Sequence, residues 1–271
     1  MIYINTFKLS NEKVSNPNIY PYNVFDKKNE KCLVFDKITI FYGNNACGKS
    51  SLLNIIANKL ELIGKEEVVV VNAIKSYFES FVKECIYELG ENENGQVLYK
   101  IPLNSCYIKS EDIMYEVKKI QQEAILREGY VYEYAKRGYN KEQLEILKHS
   151  PKMSEQIERM KFGQEKYSNG EMSLQIFDDL LQTDALYLLD EPEVSLSPQN
   201  QVLLAEKINF GARYLNNQYI IATHSPFMLR TLDAKIYNLD FKDIDVCRWN
   251  ELENVRYFYD FFQKCREEFE N

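Results

Sequence analysis

The chain has 271 residues, 45% of them apolar and 27% charged, with a formal net charge of −8 and a pI near 5.1. This is ordinary globular usage with length for a large buried core, which excludes a disordered or fibrous chain. The acidic balance speaks against a generic polyanion binder. No apolar run approaches the ~18 residues of a membrane span, and Met1–Asn5 lacks the basic start of a secretory signal.

Ile2–Phe7 alternates loosely and predicts a strand. Residues 10–31 are polar, with turn signals at Asn16-Pro17-Asn18 and Tyr20-Pro21, and predict an irregular loop. The cysteines at 32, 47, 85, 106, 247 and 265 form no CxxC pair, and the histidines are His149 and His224 alone. Neither a zinc site nor a disulfide framework is expected. Reduced thiols predict a cytoplasmic protein. Lys37–Tyr42, β-branched and aromatic, predicts a buried strand ending at Gly43. Residues 49–60 carry Leu52, Leu53, Ile55, Ile56 and Leu60 at helical spacing.

Val68–Val71 predicts a strand, 75–89 a helix and Glu91–Gly95 a turn. Gln96–Ile101 and Cys106–Ile108 predict two further strands. Residues 111–166 are helical in pattern, with eleven acidic and eleven basic residues. That balance reads as a solvated helical surface. Gly129 and Gly138 break any sustained heptad, so no long coiled-coil arm is expected. Beyond residue 170, strands and helices alternate. Ala185–Leu189 is an all-apolar strand, as in a parallel sheet covered on both faces. Ser197-Pro198 reads as an N-cap with Pro at the first helical position. Tyr219–Ala222 is a strand, 235–248 holds two short strands, and 253–268 is an amphipathic helix. The alternation predicts an α/β fold.

Gly43-Asn44-Asn45-Ala46-Cys47-Gly48-Lys49-Ser50 fits G-x-x-x-x-G-K-[ST], between an apolar strand and an apolar-periodic helix. Backbone N–H groups of such a loop point at phosphate oxygens, and the helix N-terminus adds partial positive charge. The candidate nucleotide-binding residues are Gly43, Asn44, Asn45, Ala46, Cys47, Gly48, Lys49, Ser50 and Ser51. Lys49 is expected at the β- and γ-phosphates and Ser50 on Mg²⁺. Cys47 reads as a small filler; the alternative is a thiol activated by the helix N-terminus. Leu186–Glu193 ends a strand with acids, where ligands of α/β sheets bind. Asp190 is the candidate Mg²⁺ partner and Glu191 the group that aligns or deprotonates a water.

Three further segments then carry a family resemblance. Tyr167-Ser168-Asn169-Gly170-Glu171 resembles a degenerate ABC-type signature, usually L-S-G-G-Q, and its last residue lies 19 positions before Asp190. Ser195–Pro198 occupies the place of the D-loop. Ile220–Pro226, with Thr223-His224-Ser225, resembles the switch-histidine segment. The set spans roughly residues 38–230. Asp-Glu-Pro-Glu, Ser-Leu-Ser-Pro and Thr-His-Ser-Pro resemble small bacterial "AAA family" ATPases of ABC type, SMC-like and overcoming-lysogenisation-defect-like, more than transporter subunits. Many relatives of that kind act in phage defence, toxin–antitoxin or DNA-repair systems.

The resemblance implies a P-loop NTPase of ABC-ATPase head type, with a mixed sheet flanked by helices and a helical sub-domain. Residues 1–110 and 184–271 would form the nucleotide-binding lobe and 111–183 the helical signature lobe. It implies Mg²⁺-dependent ATP hydrolysis with Glu191 and His224 catalytic. Ser168, Asn169, Gly170 and Glu171 would touch the nucleotide of a second subunit, in a homodimer with two ATP sites. Such a switch would act on a protein effector, a nuclease or toxin. A DNA-engaging repair ATPase is the alternative; a transporter subunit and a non-hydrolysing scaffold fit less well. Tyr167, Asn169 and Glu171 depart from the usual signature, and Ser197 replaces the D-loop Asp. No glutamine sits in the Q-loop place, where Glu111 is an alternative Mg²⁺ ligand and equally a helix N-terminal acid. Tyr20 and Tyr22 are open candidates for stacking on adenine.

Overall fold

Three largely apolar strands make the centre of the protein: β3 (Ile38–Tyr42), β6 (Leu186–Asp190) and β7 (Gln218–Ala222), every residue of which is buried. The structure, a computed structural model, describes residues 1–14, 16, 18–26, 28, 32–66, 72–91, 94–118 and 169–270. The Val68–Val71 strand, residues 119–166 of the charged segment and Ser168 lie outside them. The chain divides into two compact units. One comprises Met1–Ser110, Leu181–Val194 and Gln201–Asn271; the other comprises Glu111–Leu180 and Ser195–Asn200.

In the first unit, β5 (Cys106–Lys109), β8 (Lys235–Asn238) and β9 (Val246–Cys247) complete a six-stranded sheet of order β5-β6-β7-β3-β8-β9. Its pairs are parallel except β8 with β9, so the sheet is mixed. Parallel strands demand cover on both faces, which is why these runs are mostly apolar and do not alternate. Helix α2 (Lys49–Lys59) packs on β5, β6 and β7 and on α3 (Asn72–Glu84). A second, antiparallel sheet has the order β2-β1-β4, from β1 (Ile4–Lys8), β2 (Cys32–Val34) and β4 (Ile86–Leu89). Phe7, Leu33, Leu52, Phe81, Leu186 and Ile220 from these elements meet in one core.

Gln218 stitches the two sheets. Its Oε1 accepts from the N–H of Tyr3 at 2.8 Å and of Ile4 at 3.0 Å. Its Nε2 donates to the carbonyls of Ile4 at 2.9 Å and Asp36 at 3.1 Å. All four groups lie at a fully buried side chain. Gln218→Leu strands them without partners and is expected to cost about 3 kcal/mol. Urea unfolding would show a lower midpoint at unchanged slope; an unchanged midpoint would contradict the stitch.

Several expected elements differ. The helix expected at 75–89 is helix Asn72–Glu84 followed by strand β4, whose short apolar–polar run suits either period. Gln96–Ile101 forms only a bridge from Val97 to Glu91; Val97 and Tyr99 are exposed, while Leu98 and Ile101 pack against the core only partly buried. Within the expected loop at 10–31, α1 (Tyr22–Phe25) makes one turn that buries Tyr22 and Phe25. The terminal helix is α7 (Glu253–Lys264) followed by α8 (Arg266–Glu270). Of α7 only Val255 is buried; Tyr257, Phe258, Tyr259, Phe261 and Phe262 remain exposed. Among the described residues no helix is long and apolar enough to cross a membrane.

In the second unit, α4 (Asn169–Leu180) and the helical stretch 111–118 are described. Ser197 Oγ accepts from the N–H of Asn200 at 3.3 Å and caps α5 (Pro198–Tyr214) as expected of Ser-Pro.

Candidate functional site

Strand β3 delivers the chain into Gly43, and the loop 43–48 turns directly into α2. Gly48 stands at the N-cap with φ +103°, and a Cβ there would lie 2.6 Å from Val24 Cγ1. Both the left-handed backbone and the close approach need glycine. A Cβ on Gly43 would lie 2.5 Å from Cys47 Sγ. Asn44, Asn45 and Ala46 form the exposed crest of the loop. Burial pushes the Cys47 thiol up, against the opposing pull of Lys49.

Lys49 is buried under the loop. Its Nζ donates to the carbonyls of Gly43 at 2.8 Å and Asn44 at 3.3 Å and lies 3.7 Å from Glu191 Oε1. A buried ammonium needs such partners. Asp240, which the sequence reading missed, braces the loop: its carboxylate accepts from Asn44 N at 2.7 Å and Asn44 Nδ2 at 3.2 Å.

Asp190 ends β6, buried, and burial raises its carboxyl above the usual range, while hydrogen bonds from Ser50 and Tyr107 oppose that shift. Tyr107 Oη donates to Asp190 Oδ2 at 3.0 Å. Tyr107 reaches it because β5 runs parallel to β6, with Lys109 in register with Asp190. Asp190 Oδ1 is buried and has no hydrogen-bond partner among the described residues. A buried carboxylate oxygen without a donor, beside a serine hydroxyl, is the donor set of a hard divalent cation completed by water and phosphate oxygens. The residues fit Mg²⁺, which Ser50 and Asp190 would hold. No cluster of three His, Cys, Asp or Glu converges among the described residues. Glu111, the other metal candidate, is exposed and belongs to the second unit.

Glu191 follows in a left-handed conformation, φ +48°, its N–H donating to Ala222 O at 2.9 Å. This turns its carboxylate off the strand end, where Oε1 lies 3.5 Å from His224 Nδ1 and 3.7 Å from Lys49 Nζ. His224 follows β7, and Ser225 caps α6 (Pro226–Thr231), accepting from Met228 N at 3.2 Å. Glu193, also missed, is buried, and burial pushes its carboxyl up. Its Oε1 accepts from Thr223 Oγ1 at 2.5 Å, His224 N at 3.1 Å and Ser225 N at 3.3 Å.

One unit thus brings together Lys49, Ser50, Asp190, Glu191 and His224. Gly170 and Glu171 open α4 in the other unit. A Cβ on Gly170 would lie 3.2 Å from Ser195 O and Asn200 Nδ2. Ser168 and the Asn169 side chain lie outside the described residues. Tyr22 is not an adenine platform: its ring is boxed at 4.9 Å edge-on to Phe81, and its hydroxyl donates to Glu84. Tyr20 stacks on Phe78 at 5.9 Å and its hydroxyl meets Ser51.

The sheet, the strand–loop–helix turn and the acidic strand end define an α/β P-loop NTPase fold. Residues 155–230 match the family model described as "AAA domain, putative AbiEii toxin, Type IV TA system". That stretch holds the signature-like segment, both strand-end acids and His224, and it agrees with the resemblance read from the motifs. Among solved structures, the chain is similar to the SMC head domain from Thermotoga maritima, with 11% identity and a TM-score of 0.46 over 91% of this chain and 99% of that one. It is also similar to a nucleotide-free ATP-binding cassette from an ABC transporter, with 15% identity and a TM-score of 0.49 over 96% and 99%. A search of the curated proteins found no match.

Proposed function

We propose that this chain is a cytoplasmic, Mg²⁺-dependent ATPase of ABC type that works as a homodimeric switch on a protein effector, a nuclease or toxin, in a phage-defence or toxin system. The observation that carries the reading is the Glu191 carboxylate held between Lys49 and His224, beside the Ser50–Asp190 pair.

Glu191 is the residue to orient or deprotonate the attacking water, because its carboxylate is partly exposed beside the buried amine of Lys49. Lys49 and the loop N–H groups bind and neutralise the phosphates. His224 holds the water and γ-phosphate in line through its ring. Ser50 and Asp190 would hold the cation, which offsets charge on the phosphate oxygens when bound. The signature segment supplies the second half of the site. Ser168 and Gly170 would meet the γ-phosphate of the facing subunit, which a helix N-terminus favours. One chain carries one phosphate loop and one signature, so closure takes two chains related by a twofold axis. Hydrolysis removes the contacts that hold them together.

The family description supports the toxin setting. The uncovered aromatic face of α7 supports a protein partner, since contiguous exposed apolar surface marks interaction sites. The test is to tag Glu191→Gln protein, trap it with ATP in its native host and identify what co-purifies. A nuclease or toxin at fixed stoichiometry is expected. Recovery of the chain alone, or of nuclease-sensitive DNA, would overturn the effector reading.

A further inference from the structure

Asp190, Glu191 and His224 account for the chemistry proposed above, but not for the acid two residues beyond Glu191. Glu191-Pro192-Glu193-Val194 is a tight turn, closed by Val194 N–H donating to Glu191 O at 3.1 Å. Pro192 sits at its second position, which the fixed proline φ favours. The turn sends Glu193 back beneath the ends of β6 and β7, where only 6% of its surface is exposed. There one oxygen collects three donors from three consecutive residues, Thr223, His224 and Ser225. Ser225 is held a second time, its Oγ donating to Gln201 Oε1 at 2.6 Å. The segment bearing His224 is thereby tied to the loop bearing Glu191.

We infer that Glu193 is a positioning residue that sets the register between Glu191 and His224. This rests on the ATPase reading of the site. Glu193 lies 3.8 Å from His224 Nδ1, yet its hydrogen bonds go to the backbone and to Thr223, so it acts on where the ring stands. Without it, His224 N and Ser225 N lose a buried acceptor, and the strand-end segment is free to re-pair elsewhere. The 3.5 Å approach of His224 to Glu191 is the geometry that would be lost. Misplacement by an ångström is enough to cost roughly 10²-fold in turnover.

The experiment has two readouts. The chain's histidines are His149 and His224, so ¹⁵N imidazole spectra hold two sets of signals, and His224→Gln assigns one. In Glu193→Ala and in Thr223→Val, which keeps the buried volume, the His224 signals are expected to shift while those of His149 stay. Steady-state ATP turnover should fall roughly 10²-fold in Glu193→Ala with KM little changed. Glu193→Gln, which retains the Oε1 acceptor, should recover most of that loss. If Glu193→Ala fails to fold, Thr223→Val alone decides. Unmoved His224 signals in the folded variants overturn the inference, and so does wild-type turnover in them. Wild-type protein that binds ATP but never hydrolyses it overturns the ATPase reading instead, and the spectra still decide whether Glu193 anchors His224.

Discussion

Glu191→Gln is expected to bind ATP normally and to lose turnover by about 10²–10⁴-fold, the usual worth of a positioned general base. The substitution keeps the shape and one oxygen but removes the charge that faces Lys49 and His224. Because Glu191 is not among the residues assigned to Mg²⁺, affinity for nucleotide should hold and the dimer should persist. Phosphate release and filter binding of radiolabelled ATP separate the two effects. Full turnover in Glu191→Gln would remove the residue from its role. Loss of binding with loss of turnover would mean that it holds the phosphates instead.

Lys49→Ala is expected to fail earlier, at binding. The amine is buried and already aimed at the loop carbonyls of Gly43 and Asn44, so a phosphate arriving there meets a cation desolvated in advance. Removing one partner of such a charge-assisted contact costs about 3 kcal/mol, or roughly two orders of magnitude in Kd. Titration calorimetry with ATP is the measurement. Undiminished affinity would sink the phosphate-loop assignment, whatever the turnover.

What could be read from the sequence follows from how far apart the interacting residues lie. Gly43 to Ser50 is legible because one turn of chain does all the work, and its spacing is imposed by the loop. The central strands are legible because burial on both faces leaves an unbroken apolar run, as in Leu186–Leu189. Ser197 is legible as a cap because it meets an N–H three residues on. Tyr107, Glu193 and Asp240 were missed because their partners lie 83, 31 and 196 residues away. Only the sheet order brings them together, and strand order is not written in local pattern. One signal was available: Asp-Glu-Pro-Glu holds a second acid that the assigned chemistry leaves without a task. Strand β4 merged with the preceding helix because four exposed or half-exposed residues carry too little period to separate the two. Tyr22 reads as an open candidate for stacking on adenine because its loop is polar, yet one helical turn folds it into the core.

The central claim is that ATP joins two of these chains and hydrolysis parts them. It is tested most directly by sedimentation of Glu191→Gln protein with Mg²⁺ and ATP, with ADP, and without nucleotide. The account predicts a species of twice the 32.0 kDa chain mass with ATP alone, lost when Ser168→Arg is added. A species that stays at the mass of one chain while ATP is bound would contradict it.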